Sequence, residues 1–108
     1  MGITPVDLYR AGNAQSPRMD KLKPTDIVVV QQNGTDWVNP SSGGPSTQGA
    51  KVWPARHWWV IPQGRPFSDS LNVRNDHGTH WVWEPAIGME LAQFIQLLAE
   101  LNKEFVRA

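Results

Sequence analysis

The chain contains no cysteine, and this absence removes several kinds of chemistry at once. No disulfide, thiolate nucleophile or cysteine-ligated metal is available, so packing alone must stabilise the fold. An excess of charge of one sign is also absent, because ten lysines and arginines balance ten aspartates and glutamates. Broad nucleic-acid binding and membrane-surface binding both depend on clustered cations. The balanced charge therefore favours neither kind of partner.

Long apolar runs are missing as well. No stretch approaches the roughly 18 residues that a membrane span requires. Residues 1–5 also lack the charged and apolar regions of a signal peptide. We therefore expect the protein to be cytoplasmic when it is made and to use machinery other than a cleaved signal for any export.

What the chain does contain is enough apolar surface for one core. It has 108 residues, of which 40% are hydrophobic, and six are tryptophans. This length is near the commonest domain size, and no composition shift or repeat divides it. We expect residues 1–108 to form a single domain.

The local patterns predict a mostly β structure. Strands are predicted at residues 3–9, ending at Arg10, and at residues 26–31, where a β-branched run should be buried on both faces. Asn33-Gly34 predicts a hairpin turn into a strand at residues 35–38, because both turn residues tolerate positive φ.

Further strands are predicted at residues 51–53, 57–61 and 79–84, the last closed by Pro85. Residues 11–24 and 40–49 are interpreted as loops, and residues 68–74 as a helical turn with Ser68 as its cap.

One long helix is predicted at the C-terminus, where apolar residues recur with a 3.6-residue period. Its apolar positions are Ile87, Leu91, Phe94, Ile95, Leu98, Leu101 and Phe105. The opposite side carries Glu90, Gln93, Gln96, Glu100 and Lys103. We expect this helix to cover one face of a sheet.

Two features of the first half offer ligand-binding chemistry. Arg10 ends a strand and carries a planar fork of donors suited to phosphate or ribose oxygens. Some thirty-five residues later, Gly43 and Gly44 allow close backbone approach, and Ser46 and Thr47 add hydroxyl groups. The alternatives are a surface arginine and an ordinary solvent loop.

Two residues of the second half are candidates for catalysis. His80 and Glu84 share one face of a predicted strand. A histidine can orient a ligand, and a carboxylate can stabilise a developing cation. Asp76 to His80 contains two histidines, but without cysteine or a third clustered ligand we expect no metal site. Most of the six tryptophans are expected in the core, and one of four, Trp58, Trp59, Trp37 or Trp53, is a candidate for stacking on a ligand ring.

Four pieces of the chain, in this order, resemble a known family. They are Leu8-Tyr9-Arg10-Ala11; Gly43-Gly44 followed by Ser46-Thr47; Trp59 to Gly64 with Leu71-Asn72-Val73; and Thr79-His80 with Pro85-Ala86 before the final helix. The family is the ADP-ribosyltransferase-like toxins typified by a small cytotoxic effector of the bacterial type VI secretion system. The chain is shorter than larger members between Arg10 and the glycines, and Pro45 interrupts the Gly-Gly-hydroxyl run.

The resemblance implies an α+β fold, a compact split β-sandwich of the ADP-ribosyltransferase kind with a C-terminal amphipathic helix. It implies NAD as substrate, for ADP-ribose transfer to a cellular target or for NAD hydrolysis. Arg10, Gly43, Gly44, Ser46 and Thr47 would bind NAD, with the separate roles of the two hydroxyl residues left open.

The resemblance also implies that His80 acts at the nicotinamide end and Glu84 at the developing cation. A cognate immunity protein or antitoxin is the expected partner, with an unknown macromolecular acceptor, and action in the cytosol of producer and target cells.

Two alternatives remain open. One is an inactive NAD-binding or protein-binding module of the same fold. The other is an RNA 2′-phosphotransferase-like enzyme, which would need additional basic residues near the cleft. The zero net charge does not itself indicate a nucleic-acid acceptor.

Overall fold

A computed structural model describes residues 2–108, which form eleven short strands and one α-helix. The strands are β1 (Gly2–Ile3), β2 (Leu8–Ala11), β3 (Val30–Gln32), β4 (Thr35–Val38), β5 (Ser46–Gln48), β6 (Trp58–Ile61), β7 (Pro66–Phe67), β8 (Leu71–His77), β9 (His80–Pro85), β10 (Met89–Glu90) and β11 (Val106–Arg107). Helix α1 spans Leu91–Leu101, and a 3-10 turn at Asn102–Glu104 follows it. The fold is therefore mixed α+β, mostly sheet with one C-terminal helix, as predicted. No helix within residues 2–108 has the length and apolarity that a membrane span requires.

The largest sheet has six strands in the order β11-β6-β2-β5-β9-β8, all antiparallel to their neighbours. Strand β2 lies inside it, between β6 and β5, so that Arg10 is opposite Trp59 and Tyr9 is opposite Gln48. Strands β8 and β9 form a hairpin at the other end. The strand that carries Arg10 is therefore an interior strand of this sheet.

A three-stranded sheet, ordered β10-β4-β3, and the pair β1-β7 complete the β structure. The hairpin between β3 and β4 turns at Asn33 and Gly34, whose φ angles are 54° and 79°. Positive φ at both central residues suits the right-handed twist of the flanking strands. The hairpin predicted from Asn33-Gly34 is confirmed.

The core lies under helix α1. The buried face of the helix consists of Phe94, Leu98 and Leu101. These side chains belong to the same core cluster as Leu8 and Trp83 of the large sheet. The apolar period thus predicts the helix and the buried positions Phe94, Leu98 and Leu101 correctly. The helix is shorter than the period, because Ile87 precedes it and is exposed, and buried Phe105 follows the 3-10 turn.

Predicted strand 26–31 is wrong in extent and in burial. Only Val30 and Gln31 of that run lie in β3, and Val28, Val29 and Val30 are 63%, 39% and 38% exposed. Ile27 alone is buried, and it forms a single bridge with Gly43. Val28 and Val29 precede strand β3, and β3 itself lies at the edge of its sheet, so neighbouring strands do not cover this β-branched run.

Three other local predictions are corrected. Residues 51–53 contain no strand, residues 68–74 lead into strand β8 rather than a helical turn, and the predicted loop 40–49 contains strand β5. Ser68 still begins a turn, because its Oγ accepts a hydrogen bond from the Ser70 N–H. Buried Leu71 and half-buried Val73 then alternate with polar residues, a strand period that the helical interpretation missed.

The predicted strand 3–9 is divided into β1 and β2. Buried Thr4 lies between them, where its Oγ1 donates to the Pro62 carbonyl and accepts from the Arg65 N–H. These bonds take the backbone away from the large sheet until Leu8. The prediction that a strand reaches Arg10 is confirmed, and β2 continues one residue further to Ala11.

Candidate active site

An open cleft of about 1160 Å³ lies beside the large sheet. Strands β2 and β5 form one side of it, the chain from residue 18 to residue 29 a second, and the start of helix α1 a third. The residues contributed by the strands and the helix include Tyr9, Arg10, Ser46, Gln48, Leu91 and Ile95. Its size lies above the range of about 300–1,000 Å³ that is typical of small-ligand sites. The cleft is large enough for a dinucleotide.

The cleft is cationic although the whole chain has zero net charge. Arg10, Arg18, Lys21 and Lys23 line it, and Asp20 is the one carboxylate among its lining residues. The Lys21 ammonium lies 4.0 Å from the Asp20 carboxylate. Within residues 2–108 no hydrogen bond or ion pair engages the Arg18 side chain. Among the described residues the Arg18 guanidinium is therefore available to an anionic ligand at the cleft wall.

Arg10 is held by backbone carbonyl groups. Its Nε donates to Pro17 O at 2.8 Å, Nη1 to Ser46 O at 2.7 Å and Nη2 to Arg18 O at 3.1 Å. Burial is the main cause that lowers the pKa of Arg10 from its ordinary value, and the charge of Asp26 opposes this shift. The structure therefore places Arg10 at the cleft and uses its guanidinium to join β2, β5 and the loop that carries Arg18.

Strand β5 presents alternate residues to opposite faces, so Ser46 and Thr47 occupy different environments. Ser46 and Gln48 line the cleft. Thr47 is 1% exposed, donates from Oγ1 to Trp81 O at 3.4 Å and accepts from Trp83 Nε1 at 3.1 Å. Of the two hydroxyl residues predicted to bind a ligand, the geometry brings only Ser46 to the cleft.

Gly43 and Gly44 allow close backbone approach, but the groups close to them are other backbone atoms of the protein and not a ligand site. A Cβ atom at Gly44 would lie 1.8 Å from Trp83 O, and one at Gly43 would lie 2.5 Å from Asp26 O. Gly43 also has a φ of 95°, which disfavours any side chain. Both glycines let this loop pack against neighbouring backbone, and neither lines the cleft.

Two aromatic residues, Tyr9 and Trp53, are among the residues that line the cleft. Trp53 lines it and is 48% exposed, with its ring centroid 5.0 Å from that of buried Trp58. Trp58 in turn meets Tyr9 edge to face at 6.5 Å and donates from Nε1 to Trp53 O at 3.2 Å. Trp58 thus packs against Trp53, and part of the Trp53 indole remains exposed to solvent, where a ligand could contact it.

His80 does not line the cleft, although it lies opposite Gln48, which does. Its Nδ1 is 2.5 Å from Asp76 Oδ1, and its ring stacks on His77 with centroids 4.9 Å apart. Burial acts to raise the pKa of Asp76, but the hydrogen bond and charge of His80 and the charge of His77 outweigh it and lower the pKa. The expectation that no third ligand accompanies the two histidines is wrong, because Asp76 joins them.

Glu84 is buried in the sheet rather than placed at the cleft. It is 0% exposed, and its Oε1 accepts from Arg74 Nε at 2.7 Å and from Asn72 Nδ2 at 3.5 Å. Its other oxygen has no partner in the described part of the chain. The structure thus separates Glu84 and His80 from the cleft that holds Arg10 and Ser46.

The sequence reasoning missed the cations of the loop. Arg18, Lys21 and Lys23 stand within six residues, between two prolines, in a stretch interpreted only as a loop. The signal was present, since such a density of cations in a chain of zero net charge marks a local site. Arg18 also has a φ of 59°, a strained conformation for a side-chain-bearing residue, which the sequence does not reveal.

Comparison with known families assigns the chain. A family model described as the Tse2 ADP-ribosyltransferase toxin matches residues 6–108. The chain belongs to the Tse2 ADP-ribosyltransferase toxin family, which confirms the resemblance drawn from the four sequence pieces. Comparisons with curated proteins and with solved structures gave no match.

Proposed function

We propose that this domain binds NAD in the cationic cleft and transfers its ADP-ribose to a macromolecular acceptor or to water. Membership of an ADP-ribosyltransferase toxin family supports a transferase in general. The observation that carries the specific proposal is the cleft itself, where cationic side chains and a partly exposed tryptophan line one space of about 1160 Å³.

The chemistry of NAD fits these residues. Its pyrophosphate is anionic and suits Arg18, Lys21 and Lys23, of which arginine can contact phosphate oxygens through two N–H groups. Its rings suit the open face of Trp53. The nicotinamide ribose would then lie toward Arg10 and Ser46, at the junction of β2 and β5.

The proposed reaction breaks the bond between nicotinamide and the ribose carbon. The bonding electrons leave with nicotinamide, and the ribose becomes an oxocarbenium-like cation. An acceptor oxygen or nitrogen, or water, then bonds to that carbon and releases a proton. The chain would hold the pyrophosphate and orient the ribose; the catalytic roles of His80 and Glu84 stay predictions.

NAD labelled on its adenine moiety tests this function. Incubated with the protein and a cell lysate, it should label a macromolecule if transfer occurs, or yield free ADP-ribose if NAD is hydrolysed. Nicotinamide release accompanies both reactions. Saturable NAD binding without turnover, with or without lysate, would instead identify the inactive binding module.

The RNA 2′-phosphotransferase alternative gains support from one observation. It needs basic residues near the cleft, and Arg18, Lys21 and Lys23 lie there. For this enzyme, NAD consumption should require an oligonucleotide that carries a 2′-phosphate. The same oligonucleotide without that phosphate is the matched control, and turnover with neither would remove this alternative.

We also propose that the six-stranded and three-stranded sheets correspond to the two halves of an ADP-ribosyltransferase split β-sandwich. Helix α1 contacts β4 and β10 of the smaller sheet while its buried face joins the core that includes the larger one. Superposition on a solved ADP-ribosyltransferase domain with NAD bound would test both the sandwich and the cleft.

A toxin of this kind needs a cognate immunity protein or antitoxin in its producer, and we propose that such a partner covers the cleft. We further propose that the domain acts in the cytosol of a target cell after delivery by a secretion system.

Expression of the domain in a bacterial cytosol should stop growth, and co-expression of the partner should restore it. Arg18→Ala should be less toxic than wild type at equal protein level.

A further inference from the structure

Three potential metal ligands meet at the end of the β8–β9 hairpin, outside the NAD cleft. They are Asp76, His77 and His80, and their ligand atoms all lie within 4.8 Å of one another. None of the three lines the cleft. The cluster is therefore separate from the cleft proposed to bind NAD.

The hairpin geometry explains why the three side chains converge. His77 and His80 are register partners across a turn at Gly78-Thr79, so both imidazoles project from the same face. Adjacent strand residues normally project from opposite faces, which would direct Asp76 away. The register shifts between Asn75 and His77, and this irregularity turns the Asp76 carboxylate toward both rings.

The distances are close to those of a metal centre. In a tetrahedral zinc site the ion lies about 2.0–2.1 Å from each imidazole nitrogen and carboxylate oxygen. Neighbouring ligand atoms are then about 3.3 Å apart. His77 Nδ1 lies 3.3 Å from Asp76 Oδ1. His80 Nδ1 lies 2.5 Å from the same oxygen, and a small outward rotation would let an ion replace this hydrogen bond.

We propose that Asp76, His77 and His80 bind a divalent transition metal ion of the zinc class. Two neutral imidazoles and a carboxylate are a known zinc ligand set, and three protein ligands leave a fourth position for water. The nitrogen ligands disfavour Mg²⁺ and Ca²⁺, which prefer oxygen. The site is open to solvent, because His77 and Asp76 are exposed and His80 is half-buried.

Calorimetric titration of the full chain, without a histidine tag, with ZnCl₂ tests this proposal. Wild type should bind one ion saturably, and His77→Ala and Asp76→Asn should each weaken binding at least tenfold. His57→Ala is the matched control, because it removes the remaining histidine, which lies beside Arg107. Its affinity should equal that of wild type.

Thermal unfolding with and without ZnCl₂ separates lost ligands from lost fold. Zinc should raise the unfolding temperature of wild type and of His57→Ala, and should raise that of His77→Ala by much less. His77→Ala should unfold at the wild-type temperature without zinc, because its side chain is 77% exposed. Absence of saturable binding by wild type, or equal weakening in His57→Ala and His77→Ala, would overturn the proposal. Neither readout depends on NAD turnover.

Discussion

Arg10 joins three segments of the cleft wall through its guanidinium group. It lies at the cleft, as a ligand-binding arginine should, but each of its three guanidinium nitrogens already donates to a carbonyl oxygen. Through these bonds Arg10 fixes the positions of Ser46 and Arg18. Its first effect is therefore on the shape of the cleft, and a substitution there alters fold and binding together.

Arg10→Ala should be less stable than wild type by about 2–3 kcal/mol, because three carbonyl groups lose a charged donor. Arg10→Lys should recover part of this loss, since an ammonium can reach fewer of the carbonyls in one geometry. Urea unfolding followed by tryptophan fluorescence measures both. Equal stability of Arg10→Ala and wild type would contradict the role given to these hydrogen bonds.

Glu84 and Arg74 provide a second prediction at this scale. The Glu84 carboxylate is 0% exposed, and Arg74 is its cationic partner at 2.7 Å. Arg74→Ala leaves that carboxylate buried with only Asn72 nearby, and should cost about 3 kcal/mol of unfolding free energy.

Adding Glu84→Gln to Arg74→Ala should restore stability in part, because the uncompensated charge is then gone. A thermal unfolding cycle of the two single variants and the double variant measures this coupling. A double variant as unstable as the sum of the single effects would mean that the ion pair contributes nothing of its own.

At the scale of elements, the sequence predicted those whose signal is local. The Asn33-Gly34 hairpin and the buried face of helix α1 are correct, because turn chemistry and a 3.6-residue period depend on near neighbours. The run at Val28 and Val29 was predicted to be a buried strand, but both residues precede strand β3 and are exposed, and Val29 lines the cleft. A β-branched run does not by itself show that neighbouring strands will cover it.

The same limit applies to the site. Arg10 could be predicted, because a strand that ends in an arginine is visible in the sequence. The separation of Ser46 from Thr47 could not, because the loop that contains them becomes strand β5 and alternates. Glu84 was predicted on a face shared with His80, but nothing local shows that its partner strand supplies Arg74.

The segment before strand β5 packs closely on strand β9 at Gly44, and this contact between elements can be tested. Gly44→Ala should destabilise the protein severely, by about 3 kcal/mol or more, since the added methyl would lie 1.8 Å from Trp83 O and force backbone to move. Gly49→Ala is the control, because its added methyl would meet neighbours only at 3.6 and 3.8 Å. Thermal unfolding distinguishes them, and equal unfolding temperatures would refute the close packing.

For the whole molecule, the distribution of charge matters more than its sum. Ten cations balance ten anions, yet the cleft is lined by four cationic residues and one acidic residue. Such a local potential attracts an anionic substrate without making the entire protein basic. The zero net charge that weighed against nucleic-acid acceptors therefore says little about this cleft.

Salt should weaken NAD binding at such a site. Raising the ionic strength from 0.1 M to 1 M shortens the Debye length from about 10 Å to about 3 Å. The KM for NAD should rise several-fold while kcat changes little, because screening affects capture of the anion more than the chemical step. Inhibition by nicotinamide, which is uncharged, provides the control. A KM independent of salt would mean that the cleft cations do not contact the substrate.

The measurement that tests the central claim most directly is nicotinamide release from NAD by wild type, Arg18→Ala, Trp53→Ala and Arg56→Ala. Arg18 and Trp53 line the cleft, and the Arg18 carbonyl that holds Arg10 survives substitution of its side chain. Arg56 is exposed and lies outside the cleft, so it controls for the loss of one surface arginine. We expect kcat/KM to fall about tenfold or more in the two cleft variants and to be preserved in Arg56→Ala. Arg18→Ala should keep the wild-type unfolding temperature, whereas Trp53→Ala loses the contact with Trp58, so its activity is measured well below its own unfolding temperature. Wild-type turnover that is equally preserved in Arg18→Ala and Trp53→Ala would contradict the assignment of this cleft to NAD.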